Sequence, residues 1–146
     1  YTARATVDGI KPKYHTEHEP NFDFNVNQQR LDNKFVLVVE GPFDAMAVDG
    51  VAVLSNECNE IQADIIDSLA REVIVVPDRD RAGIKLVDDA LEYGWSVSFP
   101  EWDADIKDVN AAVTKYGKLF ALKSILAAKE SSRLKIELKK KKLQHD

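Results

Sequence analysis

Apolar residues fall into two kinds of run along this chain. Unbroken runs rich in β-branched residues stand at Phe35-Val36-Leu37-Val38-Val39, Val51-Ala52-Val53-Leu54 and Val73-Ile74-Val75-Val76. Each is too short for an ordinary helix and has no polar side, the pattern of a strand buried on both faces in a parallel sheet. Trp95 to Phe99 alternates apolar residues with serine, which predicts a fourth, more exposed strand. Between these runs the spacing turns helical. Pro42 suits a first helical turn, and Phe43, Met46 and Ala47 share a face, so 43–49 reads as a short helix ended by Gly50. Ile61, Ile65, Ile66 and Leu69, with Asp64 and Asp67 turned away, predict an amphipathic helix over 59–70 capped by Asn59. Ile84, Val87 and Leu91 predict a third helix, opened at Arg81-Ala82-Gly83 and stopped at Tyr93-Gly94. Two further helices, one reaching Tyr116 and one over 118–129, are separated by Gly117. The order β-α-β-α-β-α-β-α-α implies an α/β fold: about four strands, mainly parallel, with helices on both faces.

The ends of the chain are less periodic. In 1–34, Pro12, Pro20 and several Asn and Gln interrupt any repeat, although Phe22, Phe24 and Val26 alternate as a short strand would. His15 and His18 stand three apart and read as part of a solvated loop. The segment reads as a linker or the edge of a preceding domain, 35–129 as the main domain, and 130–146 as a basic tail, either a solvated helix or a frayed end. The chain opens on Tyr1, so a fragment or processed product is expected.

Composition narrows the class. No apolar run approaches the ~20 residues needed to cross a bilayer, so no membrane partner is expected. Cys58 is the single cysteine, which excludes an internal disulfide and an internal multi-cysteine zinc site and fits a reducing compartment. A net charge of −5 argues against broad electrostatic binding of nucleic acid. The basic residues are nonetheless concentrated, with six basic and one acidic between Arg133 and Lys142.

The candidate chemistry lies where apolar strands run into acids. The first strand delivers Glu40, with Asp44 one turn on; the third delivers Asp78 and Asp80; the fourth is followed by Asp105, Lys107 and Asp108. In a parallel sheet these ends share one edge, so distant acids converge on one crevice. Concentrated carboxylates repel one another unless a cation or proton intervenes. Oxygen donors without soft ligands suit Mg²⁺ or Mn²⁺, the ions of phosphoryl transfer. Each element also has a plain structural reading: Asp78-Arg79-Asp80 as a polar loop, Asp108 as a helix cap, the tail as a solvated face.

Glu40-Gly41-Pro42-Phe43-Asp44 after one apolar strand, and Asp78-Arg79-Asp80-Arg81-Ala82-Gly83 after another, resemble the Toprim domain, the Rossmann-like catalytic module of primases, type IA and type II topoisomerases and some nucleases. Lys107-Asp108-Val109-Asn110 resembles the Lys-Asp-x-Asn element of DnaG-like and phage primases. The resemblance spans 35 to about 116. It implies Glu40, Asp78 and Asp80 as catalytic residues and Glu40, Asp78, Asp80 and Asp108 as ligands of Mg²⁺ or Mn²⁺. Lys107, Arg79, Arg81 and Asn110 would face nucleotide or DNA, with Asp44 in support. It further implies a DNA-directed RNA polymerase (primase) that makes RNA primers on single-stranded DNA from nucleoside triphosphates, located in the cytoplasm of a bacterium or phage-infected host. The tail would contact DNA phosphate or a replicative helicase. Primases of this type usually carry a zinc module and a basic subdomain ahead of Toprim. Residues 1–34 would be at most a remnant of the latter, so primer synthesis is expected to need neighbouring domains. A Toprim nuclease, and a non-catalytic Toprim module like those of recombination mediators, are the alternative readings.

Overall fold

The computed structural model describes residues 2–4, 14–16 and 21–145. A two-stranded antiparallel ribbon, β1 (Thr2–Arg4) and β2 (Tyr14–Thr16), precedes the main sheet. His15 lies in this ribbon, and His18 lies outside the described residues. The three unbroken apolar runs form β3 (Phe35–Val39), β4 (Val51–Ala52) and β5 (Glu72–Val75). The serine-alternating run forms β6 (Ser96–Ser98), and a fifth strand, β7 (Lys129–Glu130), completes the sheet. Their spatial order is β4-β3-β5-β6-β7, parallel except for β7.

Among the described residues, six α-helices cover the two faces: α1 (Pro42–Val48), α2 (Glu60–Asp67), α3 (Gly83–Tyr93), α4 (Val109–Tyr116), α5 (Lys118–Ala127) and α6 (Arg133–His145). Successive strand residues point to opposite faces. Val36, Val38, Val73 and Val75 pack with Ile66 of α2, Leu86 of α3 and Ile136 of α6. Leu37, Val39, Ile74 and Val76 pack with Val48 of α1, Ala112 of α4 and Ile125 of α5. Burial on both sides explains why these strands carry no polar face.

This layering makes the crevice. β3 leaves its carboxyl end through α1, on one face, and the chain returns as β4 on one side of β3. β5 pairs on the other side of β3, leaves through α3 on the opposite face, and the chain returns as β6. Neighbouring parallel strands whose connections diverge in this way leave an opening beyond their carboxyl ends.

Several expectations are corrected. Phe22, Phe24 and Val26 make no strand: Phe24 forms an isolated antiparallel bridge to Ala52, and Val26–Gln28 is a 3-10 turn. β4 is shorter than Val51–Leu54, because Leu54 turns to φ 66° after its amide bonds the Glu40 carbonyl. β6 is buried throughout, not exposed, since β7 pairs its outer edge and Ser98 Oγ donates to the Ile125 carbonyl. The helix expected over 118–129 ends at Ala127, Ala128 caps it, and Lys129 passes into β7 with Glu130.

Two helices are rotated from their predicted faces. α2 buries Gln62, Ala63 and Ile66 and leaves Ile61 exposed. Gln62 is held inward by a capping box with Asn59 and by its amide donating to the carbonyls of Phe22 and Val53. α1 buries Asp44, Ala45 and Val48 and exposes Met46. Its left-handed cap is Asp49; a Cβ on the following Gly50 would stand 2.7 Å from the Leu37 carbonyl oxygen, so only glycine fits this approach. The basic tail is the helix α6, anchored by the fully buried Ile136.

Candidate active site

The crevice between β3 and β5 is built from short polar connections. Glu40 follows β3 directly and is 8% exposed. Gly41 and Pro42 open α1 at once, with Pro42 in the first turn, where no amide is needed. That places Asp44, also nearly buried, on the same rim. β5 runs through Val76 and Pro77 into Asp78-Arg79-Asp80, and a tight turn then starts α3 at Gly83. A Cβ on Gly83 would lie 2.2 Å from the Asp78 carbonyl oxygen, so the turn carrying both aspartates closes only on glycine.

Hydrogen bonds tie the rim together across the sheet. The Asp78 amide donates to Glu40 Oε2 at 2.8 Å, joining the ends of β3 and β5. The Asn110 amide, at the start of α4, donates to Asp44 Oδ1 at 2.7 Å. Asp80 Oδ1 accepts from the Gly83 amide at 2.9 Å, and Asp108 Oδ1 accepts from the Ala111 amide at 2.8 Å as the N-cap of α4. Their second oxygens, Asp80 Oδ2 and Asp108 Oδ2, accept no hydrogen bond among the described residues.

Burial and crowding raise the affinity of these carboxylates for protons. Burial is the main cause for Glu40, whose pKa is raised further by Asp80 and Asp44 and lowered by the Asp78 amide. Burial also raises Asp78, followed by the charges of Glu40, Asp44, Asp108 and Asp80. Asp44 is pushed up to about 6 by burial and Asp108, against the pull of the Asn110 amide. Glu40 and Asp78 interact across the rim, and both are shifted toward the protonated form.

Glu40, Asp44, Asp78, Asp80 and Asp108 therefore share one rim, whereas Asp105, expected to converge with them, is exposed and pairs with Lys115 at 3.4 Å. They do not form a ready-made cage: among the described residues no three His, Cys, Asp or Glu side chains are grouped to hold a metal ion. The donor chemistry still fits a hard divalent cation. Every donor is oxygen, burial and mutual repulsion disfavour the charged forms of Glu40, Asp44 and Asp78 in the absence of a cation, and Mg²⁺ commonly takes one or two carboxylates with waters and phosphate completing its shell.

The basic residues divide. Arg79 does not extend into the crevice. Its amide donates to the Lys107 carbonyl at 2.8 Å, and its Nη1 bonds the carbonyls of Trp102, Asp103 and Ile106 at 3.1, 2.9 and 3.0 Å. It thereby fastens the Asp78–Asp80 turn to the loop that delivers Asp108. Lys107 and Arg81 are exposed, and no ion pair engages either among the described residues. Asn110 meets the rim through its backbone amide. Sequence reasoning passed over Asp23, which is 1% exposed with both carboxylate oxygens unpartnered among the described residues, and over Trp102, which is buried and donates to Ser124 Oγ at 2.7 Å. The Phe22-Asp23-Phe24 alternation was the available signal for the first.

No family model matches the sequence, and no curated protein does. Solved structures do match. A DNA primase domain from Pseudomonas aeruginosa superposes with a TM-score of 0.69 at 24% identity, over 88% of this chain and 46% of that one. The RNA polymerase domain of Mycobacterium tuberculosis primase DnaG gives 0.68 at 20% identity, over 89% and 50%. A DnaG primase catalytic domain bound to ssDNA gives 0.65 at 23% identity, over 87% and 46%. The fold is that of the Toprim-containing DnaG primase catalytic core. The chain spans about half the length of these structures. Within the Toprim fold, Glu40 and the Asp78–Asp80 turn occupy the carboxyl ends of adjacent central strands. No helix among the described residues is long and apolar enough to cross a membrane.

Proposed function

We propose that this chain is the metal-binding Toprim part of a DNA primase, contributing to Mg²⁺- or Mn²⁺-dependent nucleotidyl transfer from nucleoside triphosphates on a single-stranded DNA template. The observation that carries the reading is the junction of Glu40 with Asp78 at the sheet's switch point, with Asp80, Asp44 and Asp108 on the same rim. Glu40, Asp78, Asp80 and Asp108 would hold the cation. When bound, it supplies charge neutralisation at a transferring phosphoryl group. The chain's own residues do the rest. Glu40 and Asp78 hold a proton that leaves as positive charge arrives, Asp44 orients the start of α4, and Lys107 and Arg81 face phosphate from the exposed lip. A cytoplasmic setting, and a helicase contact through α6, go with this reading. The solved structures are about twice as long as this chain, so primer synthesis is assigned to the protein with its neighbouring domains present.

The test is thermal stability against Mg²⁺ or Mn²⁺ for the native chain and for Asp78→Asn with Asp80→Asn. The native chain rises in melting temperature with added metal. The double variant starts higher, since repulsion is relieved, and does not respond. With neighbouring domains restored, the native protein makes primers on single-stranded template, and the variant loses about a hundredfold or more, as expected on removing stabilisation of the transferring group. A non-catalytic DNA-binding Toprim module is the second reading. It is favoured by Asp80 and Asp108 each committing one oxygen to a helix start. It predicts DNA binding with no primer and no metal response.

A further inference from the structure

One strand along from the acidic rim, on the same edge of the sheet, lies a cavity of about 210 Å³. Pro77 and Arg79 bound it from the end of β5, Phe99 and Trp102 from the segment after β6, and Lys139 and Lys142 from α6. Its walls are fixed. Trp102 is held by Ser124, and Arg79 by three backbone carbonyls. The helix that closes it is also fixed. Lys140 pairs with Asp88 of α3 at 2.9 Å and with Glu137 at 3.1 Å, and Ile136 is buried in the core. That rotation leaves Lys139 and Lys142, three residues apart and so on one helix face, toward the cavity. Neither lysine has an ion-pair partner among the described residues, and neither does Arg79. Glu101 is the single acid of the lining. In a chain of net charge −5, three cations to one acid around aromatic and proline surfaces are a local reversal of sign.

We propose that this cavity takes one nucleotide unit, its phosphate against Lys139 and Lys142 and its base or sugar against Phe99 and Trp102. The volume is below the roughly 300 Å³ at which pockets for drug-sized molecules begin, so a single base or sugar-phosphate unit fits and a longer segment does not. Positive charge that follows the backbone beside aromatic faces is the chemistry of sequence-tolerant single-strand binding. The neighbouring carboxylates repel a polyanion, and the cavity supplies the attraction that holds it beside them. Arg79 links the two features: it lines the cavity, while Asp78 and Asp80 on either side of it belong to the rim. The proposal deepens the nucleic-acid reading given above and rests on it. The unit could belong to a single strand or to a free nucleotide, the shared chemistry being phosphate joined to base and sugar.

The test uses the intact chain, fluorescence anisotropy of labelled oligothymidylate in EDTA, and competition by a nucleoside monophosphate. Lys139→Glu with Lys142→Glu is compared with Lys135→Glu with Lys141→Glu, an equal charge change on exposed positions of the same helix. The cavity pair is expected to weaken strand binding about tenfold or more and to flatten the salt dependence by about 1.4 in slope, two phosphate contacts on single strands. The control pair is expected to change both far less. Competition by the mononucleotide assigns the site to free nucleotide as well as strand, and its failure assigns the site to the strand. Equal effects of the two pairs, or none from the cavity pair, overturn the proposal. The metal response of the cavity-pair variant is read in parallel. Its persistence while strand binding is unaltered shows that the cavity reading alone has failed, and its absence from the native chain as well shows that the rim reading has.

Discussion

At the scale of single residues, the chain carries buried carboxylates in two settings. On the rim they face one another; Asp23 accepts no hydrogen bond among the described residues. Burial raises Asp23 from 3.8 to about 7, and burial together with Asp23, Asp89 and Asp67 pushes the Cys58 thiol up to about 12. A carboxyl whose folded pKa exceeds its unfolded one stabilises fully below the unfolded value and loses that contribution as pH rises through the folded value. The stability difference between Asp23→Leu and the native chain should therefore grow in the variant's favour from pH 3.8 to about 7 and then level off, as denaturant titration at several pH values will read. An offset independent of pH would mean that the Asp23 carboxyl has the same pKa folded and unfolded, and a trend of the opposite sign would mean that it is charged and partnered. Gly83 gives a sharper prediction. Gly83→Ala places a methyl 2.2 Å from the Asp78 carbonyl oxygen, so the turn must open. The expected cost is on the order of 2 kcal/mol or more, with loss of the metal response. Asp23 was not legible from the sequence because its isolation depends on which side of the strand edge Phe24 bridges, a tertiary outcome. Gly83 was legible only as a helix opener, since the close approach of Asp78 arises from a turn that spacing does not describe.

At the scale of elements, the strands were legible and the helix faces were not. An unbroken β-branched run admits few structures other than a strand covered on both sides. The rotation of α1, by contrast, follows from Asp44 accepting the Asn110 amide, a bond between residues 66 apart. Likewise β7 has no strand-like composition. Lys129 and Glu130 are held by pairing with Ser98 and Val97 and by the Lys129–Glu72 ion pair at 2.8 Å. The N-cap of α4 separates structure from chemistry. Asp108→Ala removes the cap and should cost about 1 kcal/mol, whereas Asp108→Asn keeps a good cap and removes the charge. The asparagine variant should melt near the native temperature yet bind Mn²⁺ more weakly. If both variants bind Mn²⁺ as the native chain does, Asp108 is a cap alone. For α6, Ile136→Ala should cost about 2–5 kcal/mol, because the side chain is wholly buried between α3 and the sheet. The basic tail is therefore part of the fold, and charge reversal tests its role where truncation would disturb the core.

At the scale of the molecule, residues from β3, β5 and the start of α4 meet because a parallel sheet gathers its carboxyl ends on one edge and because the connections from β3 and β5 diverge. The sequence motifs mark the acids, and the topology explains why they crowd one rim and bind protons more tightly than free carboxylates. The basic cavity one strand along was half legible: the lysine run stood out, but its pairing with an aromatic wall needed the turn of α6 fixed by Lys140. The central claim is that the rim exchanges its proton for a divalent cation. Calorimetric titration of Mn²⁺ near neutral pH, in two buffers of different ionisation enthalpy, counts protons released on binding. The native chain should bind Mn²⁺ and release about one proton, since ligating carboxylates must be deprotonated. Asp78→Asn with Asp80→Asn should do neither. Binding with no proton released, or no binding by the native chain, would contradict the account.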